Sequence, residues 1–168
     1  RLDNPRLNAF AYADSCAGDF VRRFKETPLW KNTVIILVPD HLGAYPQDID
    51  NLTVDRYRIP LIFIGGAVKE PKHIDTYGSQ IDIAATLLGQ LGLPHEEFAF
   101  SKNMLNPASP HFGFFTFPNA FGMMTPEHEV VFNCESNSVV SDEGEHKGEN
   151  LPKAKAYLQK LYDDLAKR

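Results

Sequence analysis

Apolar residues recur every three or four positions in three stretches of the chain, which is the spacing of amphipathic helices. The first stretch predicts a helix from about Pro5 to Lys25, which Asn4 caps. The second predicts a helix that Ser79 opens and Gly92 ends. The third predicts a final helix from about Pro152 to Lys167.

Strand patterns fill much of the remaining sequence. The apolar runs 33–38 and 59–64 lack polar alternation, so we expect strands that are covered on both faces, as central strands of an α/β sheet are. From His111 onward, short aromatic runs separated by turn residues predict an antiparallel meander. The acidic stretch from Ser141 to Asn150 predicts a solvated loop. The fold class is therefore α/β, followed by a small antiparallel meander and a C-terminal helix.

Composition and charge exclude several classes of protein for this chain. The 168 residues are 43% hydrophobic and 23% charged, as in an ordinary globular domain. The net charge of -5 and the absence of a lysine or arginine cluster argue against nucleic-acid binding. Cys16 and Cys134 form neither a zinc motif nor a disulfide framework. No bilayer-spanning stretch or signal peptide is visible, and because Arg1 is not an initiator methionine we expect a piece of a longer protein.

Asp40 and His41 are the candidate functional residues, because they stand directly after the predicted strand 33–38. Ligand sites of open α/β sheets lie just beyond the carboxyl ends of the strands. A carboxylate next to an imidazole suits a divalent metal such as zinc or manganese, and Gly43 would let the backbone turn beside it. An ordinary turn with a turn-forming aspartate is the alternative from these residues alone.

An ordered set of segments gives this pair a context. It runs through Tyr12-Ala13-Asp14, Trp30-Lys31-Asn32-Thr33, Asp40-His41, Ile59-Pro60-Leu61 and Gly78-Ser79-Gln80-Ile81-Asp82-Ile83-Ala84-Ala85-Thr86-Leu87-Leu88. Over residues 8–106 this order resembles the C-terminal part of a sulfatase-type domain of the alkaline phosphatase superfamily. Leu42 between the Asp-His pair and Gly43 is most similar to the lipoteichoic acid synthase or phosphoglycerol transferase branch.

The resemblance implies a domain organisation and a metal site. Residues 1–110 would form the C-terminal part of a three-layer αβα sandwich with a mostly parallel or mixed sheet, and residues 111–168 would add strands and the terminal helix to the same domain. Asp40 and His41 would ligate a divalent metal, manganese first, with zinc, calcium or magnesium as alternatives. The nucleophile and the first acidic ligand would precede residue 1, so no residue here is assigned as catalytic. We expect residues 1–168 alone to be inactive and to bind metal weakly.

The same resemblance implies substrates, partners and a location. The parent enzyme would transfer or hydrolyse phosphoglycerol or other phosphodiester groups on the extracytoplasmic side of a bacterial cell membrane, at the periplasm or cell surface, while this piece itself would be soluble. Its partners would be the missing N-terminal part of the same chain and a phospholipid head group or a sulfated or phosphorylated glycan, but no nucleic acid. A sulfatase acting on glycans and a catalytically degenerate binding module of the cell envelope are the two alternatives.

The remaining polar motifs receive no chemical role. We expect His73, His95 and His146 to face solvent, and we assign no metal role to His128. The segment Ser101-Lys102-Asn103 is likewise assigned no chemistry.

Overall fold

A computed structural model describes residues 3–42 and 49–168 of the protein, so Gly43 lies outside the described residues. The described elements are α1 (Pro5–Lys25), β1 (Ile35–Leu37), β2 (Ile62–Ile64), α2 (Ile83–Gln90), β3 (Gly113–Phe117), β4 (Ala120–Met124), β5 (His128–Asn133), β6 (Ser138–Gly144) and α3 (Asn150–Leu165). They fall into two compact units, one from residues 1–40 and 59–73 and the other from residues 41–58 and 74–168. A mixed α/β fold with small antiparallel sheets and a C-terminal helix is therefore confirmed, whereas the division of the chain near residue 110 stays a prediction.

The first unit contains the long helix α1, which begins and ends at the predicted residues. The side-chain oxygen of Asn4 accepts hydrogen bonds from the main-chain N–H groups of Arg6 (2.8 Å) and Leu7 (3.3 Å), which caps the helix start. No residue of α1 is buried, and Phe10 and Phe20 are 53% and 54% exposed. The predicted amphipathic helix has formed, but most of its apolar side chains remain in contact with solvent.

β1 and β2 pair with each other in the same unit, with Ile35 opposite Ile64 and Leu37 opposite Ile62. This pairing is antiparallel, and so are all pairings in the second sheet, whereas a mostly parallel or mixed sheet was expected. Parallel neighbours need a crossover that is usually helical, and the described part of the connection between β1 and β2 holds only the 3-10 turn Val54–Tyr57. Ile62 is 47% exposed, so the expected cover on both faces is not found within the described residues either.

The second unit is built on the meander β3-β4-β5-β6, in which each strand pairs with the next. One face packs against α3, with a core of Phe121, Met123, Val130, Phe132 and Ala154. The other face packs against the 3-10 turn Val54–Tyr57, with a core of Val54, Phe115, Met124 and Val131. The predicted aromatic meander is confirmed as a sheet that is packed on both faces.

The fourth strand, β6, corrects the prediction of a loop from Ser141 to Asn150. Residues 141–144 belong to β6, and Asn150 already begins α3. β6 is an edge strand, and most of its residues are exposed. Acidic residues fit such a position, because an edge strand leaves side chains in water and charges there discourage pairing with other chains. Composition alone therefore could not distinguish this strand from a loop.

Candidate metal centre

Asp40 and His41 follow β1 after Val38 and Pro39, and both are exposed. The Nδ1 atom of His41 lies 3.3 Å from the carbonyl oxygen of Leu42. A carbonyl oxygen can only accept, so in the neutral ring Nδ1 carries the hydrogen and Nε2 carries the lone pair. Metal-binding histidines commonly have this arrangement, in which one ring nitrogen donates to a carbonyl and the other faces the cation. The chemistry of this donor pair is therefore compatible with a divalent metal.

The described residues bring no third side chain of the usual ligand types to this pair. Nowhere in residues 3–42 and 49–168 do three or more histidine, cysteine, aspartate or glutamate side chains form a group that could hold a metal ion. Ligation by Asp40 and His41 thus stays a prediction, and further ligands would have to come from elsewhere. His73 and His146 are exposed and His95 is half-buried.

His128 is a buried polar residue whose environment the sequence did not reveal. Its ring is almost completely buried, Nδ1 accepts the main-chain N–H of Asn150 (3.2 Å), and Nε2 contacts the carboxylate of Asp142. The side-chain amide of Asn150 donates to the carbonyl oxygen of His128 (2.8 Å) and to Oγ1 of Thr125 (3.2 Å). Both ring nitrogens are occupied, so His128 attaches the start of α3 to β5 and is not placed to bind a metal.

A second buried network joins Asp82 to Lys102. The side chain of Asp82 is 0% exposed and that of Lys102 is 12% exposed. Asp82 accepts the main-chain N–H of Ser79 (2.8 Å), the main-chain N–H of Lys102 (2.8 Å) and the ammonium of Lys102 at both oxygens (2.8 Å each). The ammonium also lies 3.9 Å from the centre of the Phe112 ring. Lys102, to which the sequence gave no role, therefore neutralises a buried charge.

Comparison with known families decides what the chain is related to. The sequence profile of the family described as sulfatase matches residues 1–93. The chain belongs to the sulfatase family. The predicted resemblance to this family is thereby confirmed.

Individual relatives of this sulfatase-family chain support the predicted branch. It is 30% identical over 105 residues to phosphoglycerol transferase I of Xanthomonas euvesicatoria pv. vesicatoria (strain 85-10), and equally to that of Xanthomonas axonopodis pv. citri (strain 306). Each match covers 62% of this chain and 15% of the relative. The chain thus spans about 15% of the length of these curated relatives, so the similarity to phosphoglycerol transferase I is distant and local.

A solved structure extends the likeness beyond the part that the family profile covers. It is the crystal structure of a protein in the alkaline phosphatase superfamily from Vibrio parahaemolyticus, and it matches with a TM-score of 0.75 at 22% identity. The match covers 98% of this chain and 44% of that one. At this identity the likeness shows the fold alone.

None of the helices in the described part of the sulfatase-family chain combines the length and the apolar character that crossing a bilayer requires.

Proposed function

We propose that this sulfatase-family chain is part of a metal-dependent enzyme that transfers or hydrolyses phosphoglycerol or a related phosphodiester group. The 30% identity to phosphoglycerol transferase I over 105 residues carries this proposal. The sulfatase profile matches residues 1–93, and this range includes the strand β1 and the Asp-His pair that follows it. In this proposal Asp40 and His41 are two ligands of a divalent cation, with manganese as the first choice and zinc, calcium or magnesium as alternatives.

The chain's own residues would bind and orient the cation. The carboxylate of Asp40 would contribute negative charge, and Nε2 of His41 a neutral nitrogen ligand that the Leu42 carbonyl holds in the required tautomer. When bound, such a cation supplies Lewis acidity and lowers the pKa of a coordinated nucleophile. We assign the nucleophile and the remaining ligands to another part of the whole protein, because two protein ligands are fewer than catalytic metal sites use.

The same proposal gives the exposed apolar surface of the first unit a partner. Phe10, Phe20 and Ile62 are about half exposed although they lie on regular elements. Uncovered apolar patches of this kind mark interaction surfaces. We propose that an N-terminal part of the same protein covers them and completes a three-layer αβα sandwich with a mostly parallel or mixed sheet. A location on the extracytoplasmic side of a bacterial membrane follows from the proposed phospholipid head-group substrate.

Manganese titration of the chain tests the proposed pair. Paramagnetic Mn²⁺ should broaden the NMR signals of residues 38–42 with a millimolar or weaker affinity, because only two ligands are present. The substitutions Asp40→Asn and His41→Gln together should remove this broadening, whereas His73→Gln, which changes an exposed histidine of the same unit as Asp40, should leave it unchanged. Broadening that survives the double substitution would contradict the proposed ligands.

Activity assays separate the proposed transferase from a sulfatase that acts on glycans, which the sulfatase profile over residues 1–93 favours as the second candidate. The whole protein should cleave a phosphoglycerol donor faster than an aryl sulfate. The opposite preference would support the sulfatase, and loss of both activities would support a catalytically degenerate envelope module. Residues 1–168 alone should show no turnover, and phosphodiester hydrolysis by them at an enzymatic rate would contradict the assignment of the nucleophile to another part of the protein.

A further inference from the structure

A cleft of about 610 Å³ lies in the second unit between α3 and the segment 99–112. Tyr157 forms its aromatic wall and meets the rings of Phe100 and Phe112 edge-on, with centroid distances of 5.8 and 5.3 Å. Met123 and the small side chain of Ala156 also line the cleft. The volume is that of a small-molecule site, and most of the surface is apolar.

The polar atoms of this lining are largely engaged within the protein. The hydroxyl of Tyr157 donates to the carbonyl oxygen of Phe100 (3.4 Å), and the amide of Asn150 donates to Thr125 and to the carbonyl oxygen of His128. Burial and, to a smaller extent, the Asp82 carboxylate raise the pKa of the Tyr157 phenol, which keeps the hydroxyl uncharged.

The charges of the cleft have one sign. The chain carries a net charge of -5, yet no carboxylate is among the lining residues, whereas Lys153 and Lys160 are. These lysines stand seven positions apart on one stripe of α3, which corresponds to about 10 Å along the helix axis. Lys153 lies 3.5 Å from Glu149, but for Lys160 no carboxylate of the described residues lies within ion-pair distance. Lys160 is therefore the lysine of the cleft whose charge is not offset by an ion pair within the described residues.

We propose that this cleft binds a single-chain anionic amphiphile, with its alkyl chain along the aromatic wall and its anionic head group on the ammonium of Lys160. An alkyl chain needs no hydrogen-bond partner along its length, and an anion compensates the lysine charge that the protein leaves without a carboxylate. The inference rests on the cleft alone and does not depend on the proposed metal pair.

Titration of the whole 168-residue chain with decyl phosphate, below its micelle concentration, tests this proposal. The ¹H–¹⁵N NMR signals of Ala99, Phe112, Ala156 and Lys160 should shift together and saturate. Inorganic phosphate, which lacks the alkyl chain, and decyl glucoside, which has the same chain but no charge, should each bind at least tenfold more weakly than decyl phosphate. Equal binding of decyl glucoside, or shifts confined to α1, would overturn the proposal.

Three variants make the test specific. Lys160→Gln should weaken decyl phosphate binding about five- to tenfold, as expected when one charged contact of about 1 kcal/mol is lost. Lys167→Gln, which removes the same charge from a lysine just beyond α3, should have no effect. Ala156→Trp should fill the cleft and abolish binding. Unchanged affinity in Lys160→Gln would overturn the proposal, and this readout remains if Ala156→Trp does not fold.

Discussion

At the scale of single residues, the second unit depends on charges that are buried with their partners. The carboxylate of Asp82 is fully enclosed and accepts hydrogen bonds from Ser79 and from both nitrogens of Lys102. Removing one partner of such a pair leaves an uncompensated buried charge, which costs more than the pair itself contributes. Conservative changes at these positions should therefore be unusually damaging.

Replacing Asp82 should demonstrate this effect. Asp82→Asn should lower the free energy of unfolding by about 3 kcal/mol, because the ammonium of Lys102 would lose its counter-charge. Asp164→Asn, which breaks the exposed ion pair between the last turn of α3 and Arg168, should cost less than about 1 kcal/mol. Urea denaturation followed by circular dichroism measures both values. Similar losses in the two variants would show that burial does not set the strength of the Asp82–Lys102 pair.

The contact between His128 and Asp142 should give stability a dependence on pH. The hydrogen bond from His128, followed by that from the main chain of Gly148, lowers the pKa of Asp142 below its ordinary value of 3.8. Since the folded-state pKa is below the unfolded value, the carboxylate stabilises the fold above about pH 4, and this stabilisation is lost as the pH falls through the folded-state pKa.

Asp142→Asn should consequently be less stable than the wild type at pH 7, and the difference should shrink below pH 4. Urea denaturation at a series of pH values from 7 to 3 measures it. Glu145→Gln changes an exposed residue just after β6, and the free energy of unfolding of this variant should depend on pH in the same way as that of the wild type. A constant difference between Asp142→Asn and the wild type at every pH would contradict this role of Asp142.

Local sequence patterns account for only half of the Asp82–Lys102 network. Ser79 and Asp82, three positions apart, have the spacing of a capping box, and Asp82 does accept the main-chain N–H of Ser79. Lys102 is twenty positions further on, and no local rule connects it to Asp82. For the same reason His128 gave no signal, since its partner Asp142 lies in a stretch predicted to be a loop. Contacts between distant parts of a chain depend on tertiary packing, which periodicity does not report.

At the scale of secondary-structure elements, prediction succeeded where periodicity and end signals agree. α1 has the predicted ends because it combines helical spacing with a capping Asn4 and a proline at its first position. α3 begins and ends two residues earlier than predicted. β6 was missed because an exposed edge strand buries few side chains and so lacks a strong hydrophobic pattern. Metal ligation by Asp40 and His41 stays a prediction, because the described residues bring no third ligand side chain to them.

The turn after β2 should tolerate no side chain. Gly65 has a φ of +130°, and a Cβ there would lie 2.1 Å from the carbonyl oxygen of Thr33. Gly65→Ala should therefore destabilise the first unit by about 2 kcal/mol or more. The backbone would be strained, and the new Cβ would overlap the carbonyl oxygen of Thr33. Gly18→Ala, inside α1 with open space around it, should stabilise the helix by about 0.5–1 kcal/mol. Thermal unfolding of the two variants measures both effects, and a stable Gly65→Ala would show that the turn can adopt another conformation.

At the scale of the whole molecule, the first unit differs from the second because none of its described residues is buried. Phe10 and Leu29 are more than half exposed, and α1 contributes no buried residue. Surfaces of this kind promote association.

Association of the isolated chain should therefore decrease when this surface is made polar. The double variant Phe10→Gln, Leu29→Gln should shift sedimentation towards the monomer with little loss of stability, because neither side chain is buried. The double variant Tyr162→Gln, Leu165→Gln makes a similar change on the exposed end of α3 and serves as the control. If both variants sediment alike, self-association does not depend on the first unit.

The hydroxyl of Ser79 forms hydrogen bonds with the edge of the four-stranded sheet. It accepts the main-chain N–H of Phe114 (2.7 Å) and donates to the carbonyl oxygen of the same residue (3.0 Å). Phe114 lies on the edge strand β3, whose outward main-chain groups could otherwise form hydrogen bonds with a strand of a neighbouring molecule. One serine thus occupies the outward donor and acceptor of Phe114, so a foreign strand would have to displace this hydroxyl before it could add to the sheet at that residue.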